Sequence, residues 1–219
     1  MGSSRLPGKS LLPVWREMPL LELVLRRVMA ARRVSEVVLA TTTADRDDEL
    51  VVLAEGIGIA VVRGPEDDVL ARMAQALESH PADAVIRVCA DNPFVDPREL
   101  DRLVEYFQAS DLDYATNAAV TSGLPDGAGA EILRADALRR AAAEATDPAE
   151  REHVTVFVKR RDTEFRLGAV PPPDVPWPLL KLDIDSVDDY RRIQALAKLL
   201  PEDDAPLWPL SRIVAAYPD

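Results

Sequence analysis

The amino-terminal residues of the chain combine small side chains with two cations. Gly2 lets backbone N–H groups approach an anion closely, Ser3 and Ser4 add hydroxyl donors, and Arg5 and Lys9 carry positive charge. Together these groups suit a polyphosphate. The same composition is typical of a disordered amino terminus, and composition alone favours that interpretation.

Two aspartates follow apolar segments and could hold a metal ion. Asp91 comes just after the apolar run 84–89, and Asp185 follows a second run that ends at Ile184. Ligands collect at the carboxyl ends of strands in open α/β sheets, and two carboxylates there could bind Mg²⁺ against a triphosphate. Each aspartate could instead be a turn or cap residue, and the two residues taken alone favour that alternative.

The elements that must position these groups follow from the hydrophobic pattern. Short β-branched runs alternate with longer amphipathic segments, which predicts an α/β fold with a mostly parallel sheet and helices on both faces. The predicted strands are residues 36–42, 59–63, 84–89, 113–116, 130–133, 165–170 and 179–184. The predicted helices are residues 20–33, 46–55, 68–79, 97–109, 135–144, 148–161 and 187–200.

Composition limits the class of protein. A chain of 219 residues with 47% hydrophobic content fits a single domain over residues 1–219. The formal net charge of −12 argues against nucleic acid or an anionic membrane as a partner. One cysteine rules out an intramolecular disulfide, and no apolar stretch is long enough to span a bilayer, so we expect a cytoplasmic location.

Four separated motifs carry a family resemblance that runs in register over roughly residues 1 to 200. They are Gly2-Ser-Ser-Arg-Leu-Pro-Gly-Lys9, Arg87-x-x-x-Asp91-x-Pro93, Arg151-Glu-His-Val-Thr155, and Leu182-x-x-Asp185 before Ser-x-Asp-Asp189. In this order they resemble the cytidylyltransferases that activate acidic sugars, especially the spore-coat polysaccharide branch related to CMP-Kdo and CMP-sialic acid synthesis. The resemblance implies a Rossmann-like nucleotidyltransferase fold and transfer of CMP from CTP to an acidic sugar, with release of pyrophosphate.

The resemblance assigns roles to individual residues. It favours Asp91 and Asp185 as ligands of Mg²⁺, with Arg5, Lys9 and Asp91 as the catalytic groups around the triphosphate. The nucleotide-binding residues that it implies are Gly2, Ser3, Ser4, Arg5, Lys9, Thr41, Thr42, Arg63, Arg72 and Arg87. Several of these could equally be ordinary turn residues or solvent-exposed cations, and Arg87 could pair with Asp91 instead.

The sugar side of the site is defined less clearly. The resemblance implies contacts from Asn117, Glu131, Arg151 and His153, since an anionic sugar needs a cation. His153 could instead belong to a homodimer contact, because related enzymes pair through this region. The chain departs from the family at Gly129, where relatives commonly carry an aspartate, and this leaves the sugar open.

Relatives begin with an apolar strand and Ala-Arg before the Met-Gly-Ser motif, so we expect a central strand upstream of Met1, encoded by about six to eight apolar codons. Without that strand, two neighbouring strands would keep unpaired backbone groups. One alternative is therefore a truncated, non-catalytic homologue that binds sugar or a partner. A second alternative is a nucleotide-sugar glycosyltransferase, whose usual Asp-x-Asp motif Asp183-x-Asp185 superficially matches.

Overall fold

The structure, a computed structural model of the chain, describes residues 5–118, 122–172, 177 and 179–217. The strands are β1 (Pro13–Trp15), β2 (Met18–Pro19), β3 (Val38–Thr42), β4 (Ala60–Gly64), β5 (Ala84–Arg87), β6 (Tyr114–Thr116), β7 (Glu131–Arg134) and β8 (Leu167–Ala169). The α-helices are α1 (Leu20–Met29), α2 (Asp48–Gly56), α3 (Val69–Ser79), α4 (Pro97–Ala109), α5 (Ala135–Glu144), α6 (Pro148–Glu152), α7 (Val156–Lys159), α8 (Val187–Leu199) and α9 (Leu210–Ala215).

The strands form an α/β arrangement of the predicted class. β3 and β4 pair in parallel, with Thr41 opposite Arg63. A second sheet has the order β5-β7-β6-β8. In it β7 is antiparallel to both neighbours and β6 is parallel to β8, so β5, β6 and β8 run in one direction and only β7 is reversed.

Helices cover both faces of the four-stranded sheet. Successive strand residues point to opposite sides, so neighbouring residues of one strand pack against different helices. On β7, Ile132 packs in a cluster with residues of α1, α4 and α8, such as Leu23, Leu103 and Leu196. The next residue, Leu133, packs in a different cluster with residues of α3, α5 and α7. The prediction of helices on both faces is confirmed.

The segment 179–184 corrects the sequence-based prediction of a strand. Within the described residues it makes only one isolated β-bridge, between Lys181 and Asp126. Its backbone bonds go to two loops: Leu182 N donates to Asp126 O at 2.9 Å and Ile184 N donates to Asp91 O at 2.9 Å. Because these partners lie in different loops, no ladder forms, although the side chains of Leu182 and Ile184 are fully buried.

Other boundaries also differ from the sequence-based prediction. The helix predicted over 148–161 is two short helices, α6 and α7, separated at residues 153–155. Its first part begins as predicted, since the Asp147 side chain accepts a bond from Ala149 N and proline follows the cap. The β1–β2 hairpin and α9 were not predicted, because strands of three and two residues and a six-residue helix carry little periodicity.

No strand among the described residues joins β3 to β5, so β3–β4 and the four-stranded sheet are separate sheets. The apolar side chains along these two strands, including Leu39 and Ile86, are only partly buried. The expected strand between β3 and β5 stays a prediction.

The carboxyl-terminal segment is attached to the core through the buried cation Arg27 on α1. Its guanidinium donates to Val95 O at 2.9 Å, Pro206 O at 2.7 Å and Trp208 O at 3.1 Å. Burial lowers the pKa of Arg27 to about 10, against the opposing effect of Asp96. The Trp208 ring packs edge-on against Trp15 at 5.4 Å, so this contact joins the two ends of the chain.

No helix in the described part of the chain is both long and apolar enough to cross a membrane.

Candidate active site

Lys9 lies between the two aspartates that the sequence singles out. Gly8 has φ 71° and ψ 10°, a left-handed conformation that glycine adopts without strain, and it precedes the 3₁₀ turn Lys9–Leu11. From there Lys9 Nζ donates to Asp91 Oδ2 at 2.9 Å and to Ile184 O at 2.7 Å, and lies 3.9 Å from Asp185 Oδ1. Arg5 Nη2 donates to the same Asp185 oxygen at 3.0 Å. We call these four residues the Lys9 cluster.

The two carboxylates of the Lys9 cluster are held by their own elements. Asp91 lies in the turn after β5, and the bond from Ile184 N to Asp91 O ties that turn to the segment before α8. Asp185 is fixed by a capping box at the start of α8, in which Ser186 and Asp189 bond each other's backbone groups. Asp189 Oδ2 also accepts from Asp185 N at 3.2 Å.

The Asp189 carboxylate is strongly stabilised in its charged form. Burial raises its pKa, but hydrogen bonds from Lys181, Arg192 and Ser186 outweigh burial and hold the pKa well below its usual range. Asp189 therefore acts as a fixed anchor behind Asp185.

The Lys9 cluster has the donor set of a magnesium site that is completed by substrate. No group of three or more His, Cys, Asp or Glu side chains gathers for a metal in the described part of the chain. Asp91 and Asp185 supply two carboxylates, with side chains 29% and 27% exposed. Mg²⁺ is usually held by one or two carboxylates plus substrate phosphates and water, so these residues fit that ion.

A cavity of about 510 Å³ opens beside the Lys9 cluster. Its lining includes Ser10, Thr41, Thr42, Arg72 and Ala90, the residue before Asp91. Three of the predicted nucleotide-binding residues, two threonines and Arg72, therefore face one space next to the carboxylates. A larger cavity of about 790 Å³ lies at the opposite end of β5, between α4 and α5, and contains none of the predicted site residues.

The threonines at the end of β3 are fixed by Asp47, a residue that sequence reasoning missed. Asp47 Oδ2 accepts from Thr41 Oγ1 at 2.8 Å and from Thr42 Oγ1 at 2.6 Å, and Asp47 is only 2% exposed. Burial raises the pKa of Asp47, but hydrogen bonds from the threonines help to hold it far below the usual range. The cavity wall is thus organised around a buried anion.

Arg63 and Arg72 are both predicted to bind nucleotide, and they differ in where their guanidinium groups lie. Arg63 donates to Thr42 O at 2.8 Å, Ala44 O at 2.9 Å and Asp48 Oδ1 at 2.7 Å, so its donors tie the loop after β3 to β4. The assignment of Arg63 to nucleotide binding stays a prediction, and in this structure its guanidinium is engaged by the protein. Arg72 lines the cavity, its Nη1 donates to Pro65 O at 2.6 Å and to Glu66 O at 2.7 Å, and its Nε is buried with no acceptor among the described residues.

Glu131, predicted to bind sugar, is surrounded by donors of the protein. Its Oε1 accepts from Tyr114 Oη at 2.7 Å, Thr155 Oγ1 at 2.9 Å and Lys159 Nζ at 3.0 Å, and its Oε2 accepts from Arg87 Nη1 at 2.9 Å. We call this group the Glu131 hub. Burial raises the pKa of Glu131, but the Tyr114 hydrogen bond and the charges of Lys159 and Arg87 lower it overall.

Asn117 and Arg151, both predicted to contact sugar, make hydrogen bonds to other parts of the fold. Asn117 is fully buried; its Nδ2 donates to Glu99 O at 2.8 Å and its Oδ1 accepts from Ala130 N at 2.8 Å. Arg151 donates to the Asp68 carboxylate and to Ala142 O. Both assignments as sugar contacts stay predictions, and in this structure the polar atoms of these side chains bond within the protein.

His153 ends α6 and is exposed, and its ring has no hydrogen bond from the described residues. Its two assignments, sugar contact and dimer contact, stay predictions. Gly2, Ser3 and Ser4 lie outside the described residues.

The departure at Gly129 has a steric cause. A Cβ at this position would lie 2.6 Å from Asn117 O and 2.8 Å from Asn117 Oδ1. Asn117 therefore occupies the space that a side chain at residue 129 would need.

Asp183 and Asp185 share Lys181 as a neighbour, whose Nζ lies 3.5 Å from Asp185 Oδ2, but they differ in their other contacts. Asp185 faces Arg5 and Lys9, whereas Asp183 lies 3.6 Å from Lys181, and its Oδ1 is buried without a hydrogen bond from the described residues. Burial, with the charges of Asp126 and Asp185, raises the pKa of Asp183 against the effect of Lys181. Asp183 lies outside the Lys9 cluster, and the glycosyltransferase alternative stays a prediction.

An α/β fold that brings two cations and two carboxylates together beside a cavity agrees with the nucleotidyltransferase class, and solved structures of that class share the fold. A family model described as cytidylyltransferase matches residues 1–215, and the chain belongs to that family.

Individual relatives agree with this assignment. The chain is 33% identical over 204 residues to the spore coat polysaccharide biosynthesis protein SpsF of Bacillus subtilis, covering 90% of this chain and 82% of that protein. It is 32% identical over 117 residues to 3-deoxy-manno-octulosonate cytidylyltransferase 2 of Hydrogenovibrio crunogenus, covering 51% of this chain and 45% of that protein. A cytidylyltransferase structure from Leptospira borgpetersenii matches with a TM-score of 0.89 and 25% identity, covering 98% of this chain and 89% of that one.

Proposed function

We propose that the chain transfers the cytidylyl group of CTP to a hydroxyl of an acidic sugar, with release of pyrophosphate and with Mg²⁺ as the metal. The observation that carries the proposal is the Lys9 cluster, where Arg5 and Lys9 meet Asp91 and Asp185. The relatives named as a 3-deoxy-manno-octulosonate cytidylyltransferase and as a spore coat polysaccharide biosynthesis protein support a sugar acceptor.

The chemistry needs positioning and charge neutralisation, not a nucleophilic side chain. A sugar hydroxyl attacks the α-phosphorus, the new O–P bond forms, and the bond to the pyrophosphate oxygen breaks. In the resting chain Lys9 and Arg5 are paired with carboxylates. When a triphosphate is bound, their N–H groups would donate to its oxygens and stabilise the departing pyrophosphate.

Asp91 and Asp185 would hold the magnesium ion, which supplies further charge neutralisation when bound. The nucleoside would occupy the cavity lined by Thr41 and Thr42. Ala90 lines that cavity and Asp91 follows it directly, so a nucleoside there directs its phosphates toward the Lys9 cluster.

The test is pyrophosphate release from each of the four ribonucleoside triphosphates, with Mg²⁺ and with 3-deoxy-manno-octulosonate or N-acetylneuraminate as acceptor. We expect release with CTP, and loss of about a hundredfold or more in Asp91→Asn. Asp188→Asn is the matched control, because Asp188 is 91% exposed and lies outside the cluster. Equal release in the two variants, or release that does not depend on an acidic acceptor, would contradict the proposal.

A further inference from the structure

The Glu131 hub contains more positive than negative charge. One carboxylate, Glu131, accepts from two cations, Arg87 and Lys159, at 2.9 Å and 3.0 Å. The lowered pKa of Glu131 keeps it ionised at neutral pH, so the three side chains sum to one positive charge. The chain as a whole is acidic, with a formal charge of −12, so this group is a local positive exception.

Both cations retain donors that the protein does not use. Within the described residues, the Arg87 side chain donates only through Nη1, and Lys159 Nζ donates only to Glu131. The Arg87 side chain is 25% exposed and that of Lys159 is 44% exposed. Unused donors on partly exposed cations can bind an anion from solution, and a guanidinium is suited to a carboxylate in particular.

The hub lies beside the Lys9 cluster. Arg87 ends β5, and Asp91 follows four residues later. Cys89 lies between Arg87 and Asp91 in the sequence. Burial raises the pKa of its thiol, and the charges of Asp91 and Glu131 raise it further, whereas those of Arg87 and Lys9 lower it. An anion held at Arg87 would therefore lie near the turn that carries Asp91.

We propose that Arg87 and Lys159 bind the carboxylate of the acceptor, and that Glu131 is a positioning residue that holds both cations toward it. The inference rests on the proposed function and names the groups that would select an acidic acceptor over a neutral one. Tyr114 and Thr155 complete the hub. Both donate to Glu131 Oε1, and neither accepts a hydrogen bond from Arg87 or Lys159.

The experiment separates acceptor binding from nucleotide binding. Lys159→Gln and Arg87→Lys are compared with Arg160→Gln, a matched control whose exposed side chain pairs with Asp147 outside the hub. KM and kcat are measured for CTP and for 3-deoxy-manno-octulosonate, and the binding of that sugar acid and of its carboxamide is measured by titration calorimetry.

We expect Lys159→Gln to weaken binding of the sugar acid about tenfold, with binding of the carboxamide and the KM for CTP changed less than about twofold. Arg87→Lys keeps the pair with Glu131 but loses the forked donor, and should also raise the KM for the acid without changing that for CTP. A rise in the KM for CTP in either variant would overturn the inference, as would equal binding of the acid by Lys159→Gln and Arg160→Gln.

The calorimetry also keeps this inference distinct from the proposed function. If the wild-type chain binds the sugar acid, and binding falls in Lys159→Gln but no pyrophosphate is released, the carboxylate site stands and the proposed reaction fails. If pyrophosphate is released with the acid and all variants bind it equally, the reaction stands and the carboxylate site fails. Failure of the wild-type chain to bind any sugar acid would overturn the site.

Discussion

Lys9 and Arg27 both connect the amino-terminal part of the chain to residues far along the sequence, but they do so with different partners. Arg27 is fully buried and donates to three backbone carbonyls. Lys9 is partly exposed, bonds one carbonyl, and otherwise faces two carboxylates. Neutral carbonyls fixed in the core serve the fold alone, whereas carboxylates and a cation near solvent can exchange partners with a ligand.

The largest effect on stability is expected at Arg27. Arg27→Met should lower the free energy of unfolding by about 3–5 kcal/mol, because three buried carbonyls lose their donor. Denaturant unfolding measures the change. Arg26→Met is the control: Arg26 is exposed and, within the described part of the chain, pairs only with Glu22, so its loss should cost at most about 0.5 kcal/mol. Equal losses in the two variants would show that the carbonyl contacts of Arg27 do not stabilise the fold.

At Lys9 we expect a substitution to reduce activity more than stability, the reverse of what we expect at Arg27. Lys9→Met should reduce kcat/KM with CTP about a hundredfold to a thousandfold, because a preorganised donor to the phosphates is lost. Its midpoint of thermal unfolding should change little, since Asp91 and Asp185 can be hydrated. Lys198→Met on the exposed side of α8 is the control and should change neither quantity. A stability loss as large as that of Arg27→Met would remove the distinction between the two cations.

Gly129 lies in a region expected to bind sugar, yet it is buried and closely packed, as core residues are. It therefore tests whether the fold or the site determines the effect of a substitution there. Gly129→Asp should destabilise the chain by about 2–3 kcal/mol, since the new Cβ would overlap Asn117 O. Gly56→Ala is the matched control, because no atom lies within 4 Å of its added Cβ. A Gly129→Asp protein as stable as the wild type would mean that Asn117 can move aside.

Asp189 serves both the fold, as Arg27 does, and the candidate site, as Lys9 does, since it caps α8 and also fixes Asp185. Asp189→Asn should cost about 1 kcal/mol at pH 7. The folded-state pKa of Asp189 is lowered, so its contribution is complete above the unfolded-state pKa of about 4 and is lost as the pH falls below it. The stability difference between wild type and variant should therefore shrink between pH 6 and pH 3, as measured by urea unfolding. A difference independent of pH would assign the effect to packing.

Sequence reasoning found features that depend on local chemistry and missed those that depend on distant partners. The start of α4 at Asp96-Pro97 and the capping box at Ser186 were readable, because a cap and its helix are adjacent in sequence. Asp91 and Asp185 were located by the apolar runs before them. Nothing local shows that Asp47 holds two threonines or that Asn117 fills the space beside Gly129.

The segment 179–184 illustrates the same limit. Its alternation of buried and polar residues is real, with Leu182 and Ile184 fully buried, and alternation is typical of a strand. Whether it forms a strand depends on which backbone lies beside it, and here those neighbours are the loops at Asp126 and Asp91. The side-chain pattern predicts burial correctly and ladder pairing wrongly.

The pairing within the Lys9 cluster has a kinetic consequence. Arg5 and Lys9 balance Asp91 and Asp185, so the four side chains of the Lys9 cluster sum to zero charge before a nucleotide arrives, while the whole chain carries a formal charge of −12. An approaching nucleotide anion is therefore repelled at long range and attracted only at contact. Ionic strength screens the long-range part first, so added salt should speed the association of CTP, the reverse of the behaviour of an enzyme that steers its substrate.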